Sequence, residues 1–203
     1  MSSQFSRSGV LFVISAPSGA GKTTLVEALK QTGEFVYSVS STTRPARAGE
    51  TDGVDYYFLS EQQFLDRLNA GEFLEHAKVH GYYYGTSRET VINNLKNGRD
   101  VLIDIDTQGA TNVRSYNDAF IRQALADIFI MPPNLEELRR RLTKRGTETA
   151  EQIETRLDRA AREMKLWREY RYTIISGSEE DDLLKFRHIV EAERYLSRRL
   201  IEG

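Results

Sequence analysis

The stretch VLFVI at residues 10–14, followed at once by SAPSGAGKT at 15–23, constrains this chain more than any other part of it. Five consecutive branched and aromatic apolar residues suit a strand covered on both faces, as in a parallel sheet. Glycine and proline then break the strand, and Leu25, Ala28 and Leu29 recur beyond them at helical spacing. Residues 15–21 therefore read as a loop joining a buried strand to a helix. Two more short apolar runs, VLIDID at 101–106 and DIFIM at 127–131, each lead into helix signals. Strands alternating with helices predict an α/β fold built on a parallel sheet.

Three helix starts carry a chemical mark. Ser60 with Gln63, Asn134 with Glu137 and Thr149 with Gln152 each set a capping oxygen three residues before a side chain able to bond back to the cap. The first predicts a helix from Ser60 to about Ala70. Residues 139–165, dense in Arg and Glu with no strand pattern, predict a helical hairpin.

The loop carries chemistry as well as a turn. Residues 16–23 match the pattern G-x-x-x-x-G-K-[ST] except that Ala16 takes the first position. Gly19 and Gly21 permit a turn that aims successive N–H groups inward, and the helix N-terminus behind them adds positive partial charge. Ala16, Pro17, Ser18, Gly19, Ala20, Gly21, Lys22, Thr23 and Thr24 thus form a candidate cradle for ATP or GTP. Lys22 is expected at the β- and γ-phosphates, and the Thr23 hydroxyl is a candidate ligand for Mg²⁺. The plainer reading is a Gly-rich connection and nothing more; a buried strand before it and a helix after it favour the nucleotide. Asp104 and Asp106 close a strand at the end where a parallel sheet faces its ligand crevice. Two residues apart, they are expected on one side of the strand, and Mg²⁺ takes carboxylate oxygens. Either one could instead cap the next helix or pair with an arginine.

Composition narrows the partners. At 203 residues the chain can bury a core as one domain, and a formal charge of −2 lacks the basic excess of a non-specific nucleic-acid binder. With no cysteine there are no disulfides and no thiolate metal sites, which suits a reducing cytoplasm. The start MSSQFSRSG is polar, and the apolar run after it is far short of the roughly 18 residues that read as a membrane span. Small phosphorylated ligands are expected, with no nucleic acid and no membrane. Nothing in the sequence fixes an oligomeric state.

Residues 40–94 interrupt the strand–helix alternation and read as an insertion. The chain runs SVSSTTRPARAGETDGVDY at 38–56, FLE at 73–75 and YYGT at 83–86. With APSGAGKTT at 16–24, IDIDTQG at 103–109 and RGTET at 145–149, this resembles the guanylate kinase family from residue 10 to about 168. Several separated motifs in one order are far more specific than the phosphate loop alone.

The resemblance implies a core of the P-loop nucleoside triphosphate hydrolase type at 1–39, 95–138 and 166–203, a GMP-binding subdomain at 40–94 and a helical lid at 139–165. It implies transfer of the γ-phosphate of ATP to GMP or dGMP, with Mg²⁺ as cofactor. Positions matching Arg44, Arg47, Tyr56 and Tyr84 hold the GMP phosphate in the family, which suits guanidinium forks and phenol donors. Positions matching Ser40, Glu75, Thr86 and Asp106 contact guanine, and Asp104 joins both the acceptor and the metal sets. A carboxylate at Glu75 accepts from guanine N1–H and the 2-amino group, donors that adenine lacks on that edge. Standing alone, Glu75 reads as a strand-end surface acid, and Arg44 and Arg47 as solvated loop charge. Arg141, Arg145 and Arg156 become lid residues closing over the triphosphate. With Lys22 and Arg44 they form the catalytic set, and no general base is needed.

Some residues are given no chemical role. His76, His80 and His188 lack ligand spacing, Trp167 is expected in the core beside Leu157, Met164 and Leu166, and the acidic run at 179–182 suits the start of a helix. YTIISGS at 172–178 stands where many family members carry an Asn-Asp pair against adenine, so that contact is left unassigned. Two rivals stay open: another small-molecule P-loop kinase, such as a ribose-bisphosphate or other nucleoside monophosphate kinase, and a non-catalytic protein-binding module of the same fold.

Overall fold

A computed structural model describes residues 5–146 and 149–202. In chain order they form β1 (Phe5–Arg7), β2 (Leu11–Ser15), α1 (Lys22–Gln31), β3 (Val36–Tyr37), β4 (Ser41–Thr42), β5 (Tyr57–Phe58), α2 (Glu61–Asn69), β6 (Phe73–Val79), β7 (Tyr82–Ser87), α3 (Arg88–Lys96), β8 (Val101–Asp104), α4 (Thr107–Arg114), α5 (Ala119–Ala124), β9 (Leu125–Met131), α6 (Leu135–Arg145), α7 (Ala150–Glu163), β10 (Tyr172–Ile175), α8 (Glu179–Arg194) and β11 (Leu200–Glu202).

Strand β2 lies in the middle of a five-stranded sheet of order β10-β9-β2-β8-β3, with every pairing parallel. Its apolar run has no polar face because both faces are covered. Phe12 and Ile14 point to a core shared with Leu25, Val26 and Leu29 of α1 and Phe186 and Val190 of α8. Leu11 and Val13 point the other way, to Val91 and Leu95 of α3 and to Ala110 and Val113 of α4. Ile14 stands opposite Asp104. The phosphate loop and the acidic pair therefore leave the sheet side by side at its carboxyl end, where open α/β sheets bind ligands.

Residues 40–94 hold a second sheet of order β5-β4-β7-β6, and α4 packs against β6. Phe64 of α2 stacks on Phe73 and Tyr83 at 4.5 and 5.3 Å between ring centroids. Helices α6 and α7 form the expected hairpin around Leu138, Leu142, Ile153, Leu157 and Ala160. The Ser60/Gln63 and Thr149/Gln152 capping boxes are both complete.

Two local expectations fail for identifiable reasons. Asn134 caps α6 by accepting the Glu137 N–H at 2.8 Å, but Glu137 does not bond back, because its carboxylate is taken by Arg140 and Arg141. Trp167 is 38% exposed, on a 3₁₀ turn with no buried residue, and stacks on Arg168 at 4.7 Å. Tyr170 takes the core position instead, 4.8 Å from the Phe129 ring. The pairing of β1 with β11, which brings the two ends of the described chain together, has no signal in the sequence strong enough to predict it.

Candidate active site

The phosphate loop is held open by backbone geometry. Gly19 and Gly21 sit at φ 89° and 104°, a left-handed conformation that side chains resist. A Cβ on Gly19 would also come within 2.8 Å of Leu142 Cδ2, so its absence lets α6 lie directly on the loop. Ala16 and Pro17 are buried, Ser18, Thr23 and Thr24 are exposed, and Lys22 opens α1. Arg141 Nη1 donates to the Ala20 carbonyl at 3.1 Å and to Ser176 Oγ at 2.9 Å, while Nη2 donates to the Ser176 carbonyl at 3.2 Å. Glu137 accepts its Nε–H at 2.8 Å. These groups border a cleft of about 420 Å³ whose walls include Gly19, Gly21, Thr24, Arg140, Arg141, Lys144, Gly177 and Asp182.

Of the expected lid residues, Arg156 reaches the loop, with Nη1 3.4 Å from Ser18 Oγ. Arg145 is the last residue of α6, and its side chain lies outside the described part of the structure. Arg139 and Arg140 pair with Glu154 and Glu137 on the helix surface, as a charge run does.

A second cavity, of about 210 Å³, is lined by Lys22, Ser40, Tyr56, Glu75, Ala77, Val79, Tyr84, Asp104, Ile105 and Asp106. The loop lysine thus lines this cavity, while its neighbour Gly21 lines the larger cleft, so consecutive residues of the loop face the two spaces. Lys22 pairs with the Asp104 carboxylate. Burial pushes its ammonium down to about 8, with Asp106 opposing the shift. Asp106 lines the cavity and also caps α4, accepting the Gly109 N–H at 2.8 Å. The helix-cap alternative therefore holds for Asp106, whereas Asp104 pairs with the loop lysine and not with an arginine, and both remain in the cavity wall.

Glu75 is no surface acid. It is 5% exposed in the middle of the site, where β6 pairs with β7 and places it opposite Thr86. Thr86 Oγ1 donates to Glu75 Oε1 at 2.6 Å. Burial nonetheless pushes the carboxyl up to about 7, because one hydroxyl does not replace the lost water, and the neighbouring Asp106 charge adds to the rise. A Cβ on Gly109 would stand 2.7 Å from Glu75 Oε2, so any larger residue there would push on that carboxylate.

Arg44 is 9% exposed, with its guanidinium 5.4 Å from the Tyr56 ring and held by Glu50. Tyr56 and Tyr84 meet edge to face at 5.9 Å. Arg47 is exposed and is not part of the cavity wall; its backbone N–H donates to Glu50 at 2.7 Å. Sequence reasoning misses Glu50, Gly109 and Ser176, since each acts through a contact made by the tertiary fold. Among the described residues no three His, Cys, Asp or Glu side chains gather around a possible metal position. Thr23 and Asp104 supply hydroxyl and carboxylate oxygens, the donor type that Mg²⁺ takes alongside substrate phosphates. No helix among the described residues is long and apolar enough to cross a membrane.

Comparison with known proteins agrees with this geometry. The guanylate kinase family model matches residues 8–193. The chain is 48% identical to a guanylate kinase of Methylobacillus flagellatus over 188 residues, covering 92% of this chain and 90% of that protein. It is 43% identical to a guanylate kinase of Clostridium tetani over 187 residues, covering 92% and 87%. The crystal structure of guanylate kinase from Anaplasma phagocytophilum superposes with a TM-score of 0.79 at 36% identity, over 98% of this chain and 93% of that one. With most of its length and both cavities inside the matched region, the chain belongs to the guanylate kinase family.

Proposed function

We propose that this chain is an ATP:GMP phosphotransferase, moving the γ-phosphate of ATP to GMP to give ADP and GDP. The observation that carries the reading is a buried carboxylate, Glu75, bound to Thr86 in a cavity that the phosphate-loop lysine also walls. Burying a carboxylate without full compensation is unfavourable, and guanine offers it N1–H and the 2-amino group, neither of which adenine has. On this reading ATP lies along residues 16–24 with its γ-phosphate toward Lys22, and GMP lies in the smaller cavity. Ser40, Glu75, Thr86 and Asp106 take the base, and Arg44, Arg47, Tyr56 and Tyr84 take the phosphate; Arg47 reaches it as its loop closes on the ligand. An oxygen of the GMP phosphate attacks the γ-phosphorus in line, and the bond to the β–γ bridging oxygen breaks to release ADP.

The reaction needs positioning and positive charge more than a base. Lys22, Arg44, Arg141, Arg145 and Arg156 supply that charge, and closure of 139–165 over the cleft keeps water from the γ-phosphate. Thr23 and Asp104 would hold Mg²⁺, which would neutralise charge on the triphosphate. A cytoplasmic setting accords with a chain free of cysteine.

The test measures ADP release with GMP, dGMP, AMP, UMP and ribose bisphosphate as acceptors, ATP and Mg²⁺ being present throughout. GMP is expected to lead, followed by dGMP. AMP or the sugar phosphate outrunning GMP would overturn the assignment, and turnover of none would favour the protein-binding module.

A further inference from the structure

The chain from Arg44 to Glu50 folds around one carboxylate. Glu50 Oε1 accepts from Arg44 Nη2 at 2.7 Å and Oε2 from Arg44 Nη1 at 2.9 Å, two parallel bonds that fix the guanidinium plane. Oε2 also accepts the Arg47 N–H at 2.7 Å, and the Glu50 N–H returns a bond to the Arg47 carbonyl at 3.1 Å. Arg44 is tied further by Nη1 to the Pro45 carbonyl at 2.8 Å and by its backbone N–H to Thr42 Oγ1 at 3.2 Å. Exposed ion pairs hold long side chains weakly. Here the arginine is 9% exposed against two aromatic rings, and the carboxylate is locked into a turn of its own loop.

We infer that Glu50 is a positioning residue for the acceptor phosphate, presetting the Arg44 guanidinium beside Tyr56 and Tyr84 before the nucleotide arrives. The inference rests on the reading above that Arg44 grips that phosphate. A competing reading makes Glu50 a plug, a carboxylate that occupies the fork of Arg44 and must leave when phosphate binds. The reciprocal bonds to Arg47 argue against departure, since the carboxylate cannot swing away without opening the turn. Arg44 carries further N–H groups beyond those given to Glu50, so a phosphate can be held while Glu50 stays. The two readings differ in sign: removing a plug tightens GMP, whereas removing a positioning group loosens it.

Steady-state kinetics on the full chain decide between them. Glu50→Ala is expected to raise the KM for GMP about 10- to 100-fold, the loss typical of a displaced binding group, with the KM for ATP within about twofold of wild type. Glu50→Gln, which keeps one accepting oxygen, is expected between the two. In an Arg44→Lys background, where no fork remains to orient, Glu50→Ala is expected to add less than about threefold. A lower or unchanged KM for GMP overturns the inference, as does a full, additive loss in the Arg44→Lys background. Circular dichroism checks each variant, and if Glu50→Ala does not fold, the Glu50→Gln series in both backgrounds separates the two readings by the same signs. Wild type failing on GMP would instead sink the proposed function, which separates the two failures.

Discussion

The two cavities are made of different materials. The larger cleft, about 420 Å³, is bordered by a glycine-rich backbone turn, a helix N-terminus and arginines on a helical hairpin. The smaller one, about 210 Å³, is walled by side chains from two sheets, with a carboxylate at 5% exposure inside it. A triphosphate can be gripped by any dense set of N–H donors, and backbone supplies these without any particular side chain. Telling one purine from another requires a polar group that is destabilised without its partner, and that group has to be buried.

The largest expected effect tests the donor side. Lys22→Met should lower kcat by about 10³-fold or more while circular dichroism stays unchanged, because it deletes a charge facing the transferred group but leaves the backbone cradle intact. A variant that keeps a tenth of the wild-type rate would show that the backbone alone suffices there.

Next comes the buried carboxylate. Glu75→Gln should lower kcat/KM for GMP by about 10²- to 10³-fold and leave the KM for ATP near wild type. Its effect on the fold has the opposite sign. The folded-state value of about 7 lies above the ordinary 4.5, so the stability this group contributes is complete below the unfolded value and is lost as pH rises through 7. The shift corresponds to a penalty on the order of 3 kcal/mol once the carboxyl is charged. Glu75→Gln should therefore melt above wild type at pH 8, with the gap closing toward pH 4.5. Wild-type kcat/KM for GMP should fall as pH drops below about 7, where the carboxyl is protonated, and the variant should lack this limb. A variant less stable than wild type at pH 8 would contradict the burial penalty.

The smallest change adds one methyl group. Gly109→Ala puts a Cβ 2.7 Å from Glu75 Oε2 and should raise the KM for GMP about tenfold by displacing the carboxylate, with kcat for saturating substrates changed less. An unaltered KM would mean that α4 shifts freely and that Glu75 is not held where it must be.

The same contrast explains what could be read from sequence. The donor side is local: a strand, a turn and a helix start in consecutive residues, so VLFVISAPSGAGKT suffices to predict its shape. The capping boxes at Ser60 and Thr149 are legible for the same reason. The acceptor side is assembled from residues 40 to 109, and taken alone Glu75 looks like a surface acid. Its burial depends on the pairing of β6 with β7 and on a glycine of α4, contacts that carry no signature within a few residues. Family likeness bridges that gap for Glu75 and Arg44, but not for Glu50, Gly109 or Ser176. Where a short-range rule fails, other contacts account for it: Glu137 gives up its cap for Arg140 and Arg141, and Tyr170 rather than Trp167 is the aromatic buried in the core.

A further contact links the α6–α7 hairpin to the β6–β7 hairpin. Arg159 on α7 lies 3.4 Å from His80 Nε2, at the tip of the β6–β7 hairpin that carries Glu75. His80 holds a left-handed backbone, φ 50°, to make that turn. If this bridge exists only when both segments are closed, each nucleotide strengthens it for the other. Thermodynamic reciprocity then demands that the factor by which donor tightens acceptor equals the factor by which acceptor tightens donor. An arginine–histidine touch would then carry part of the cooperativity between the two substrates.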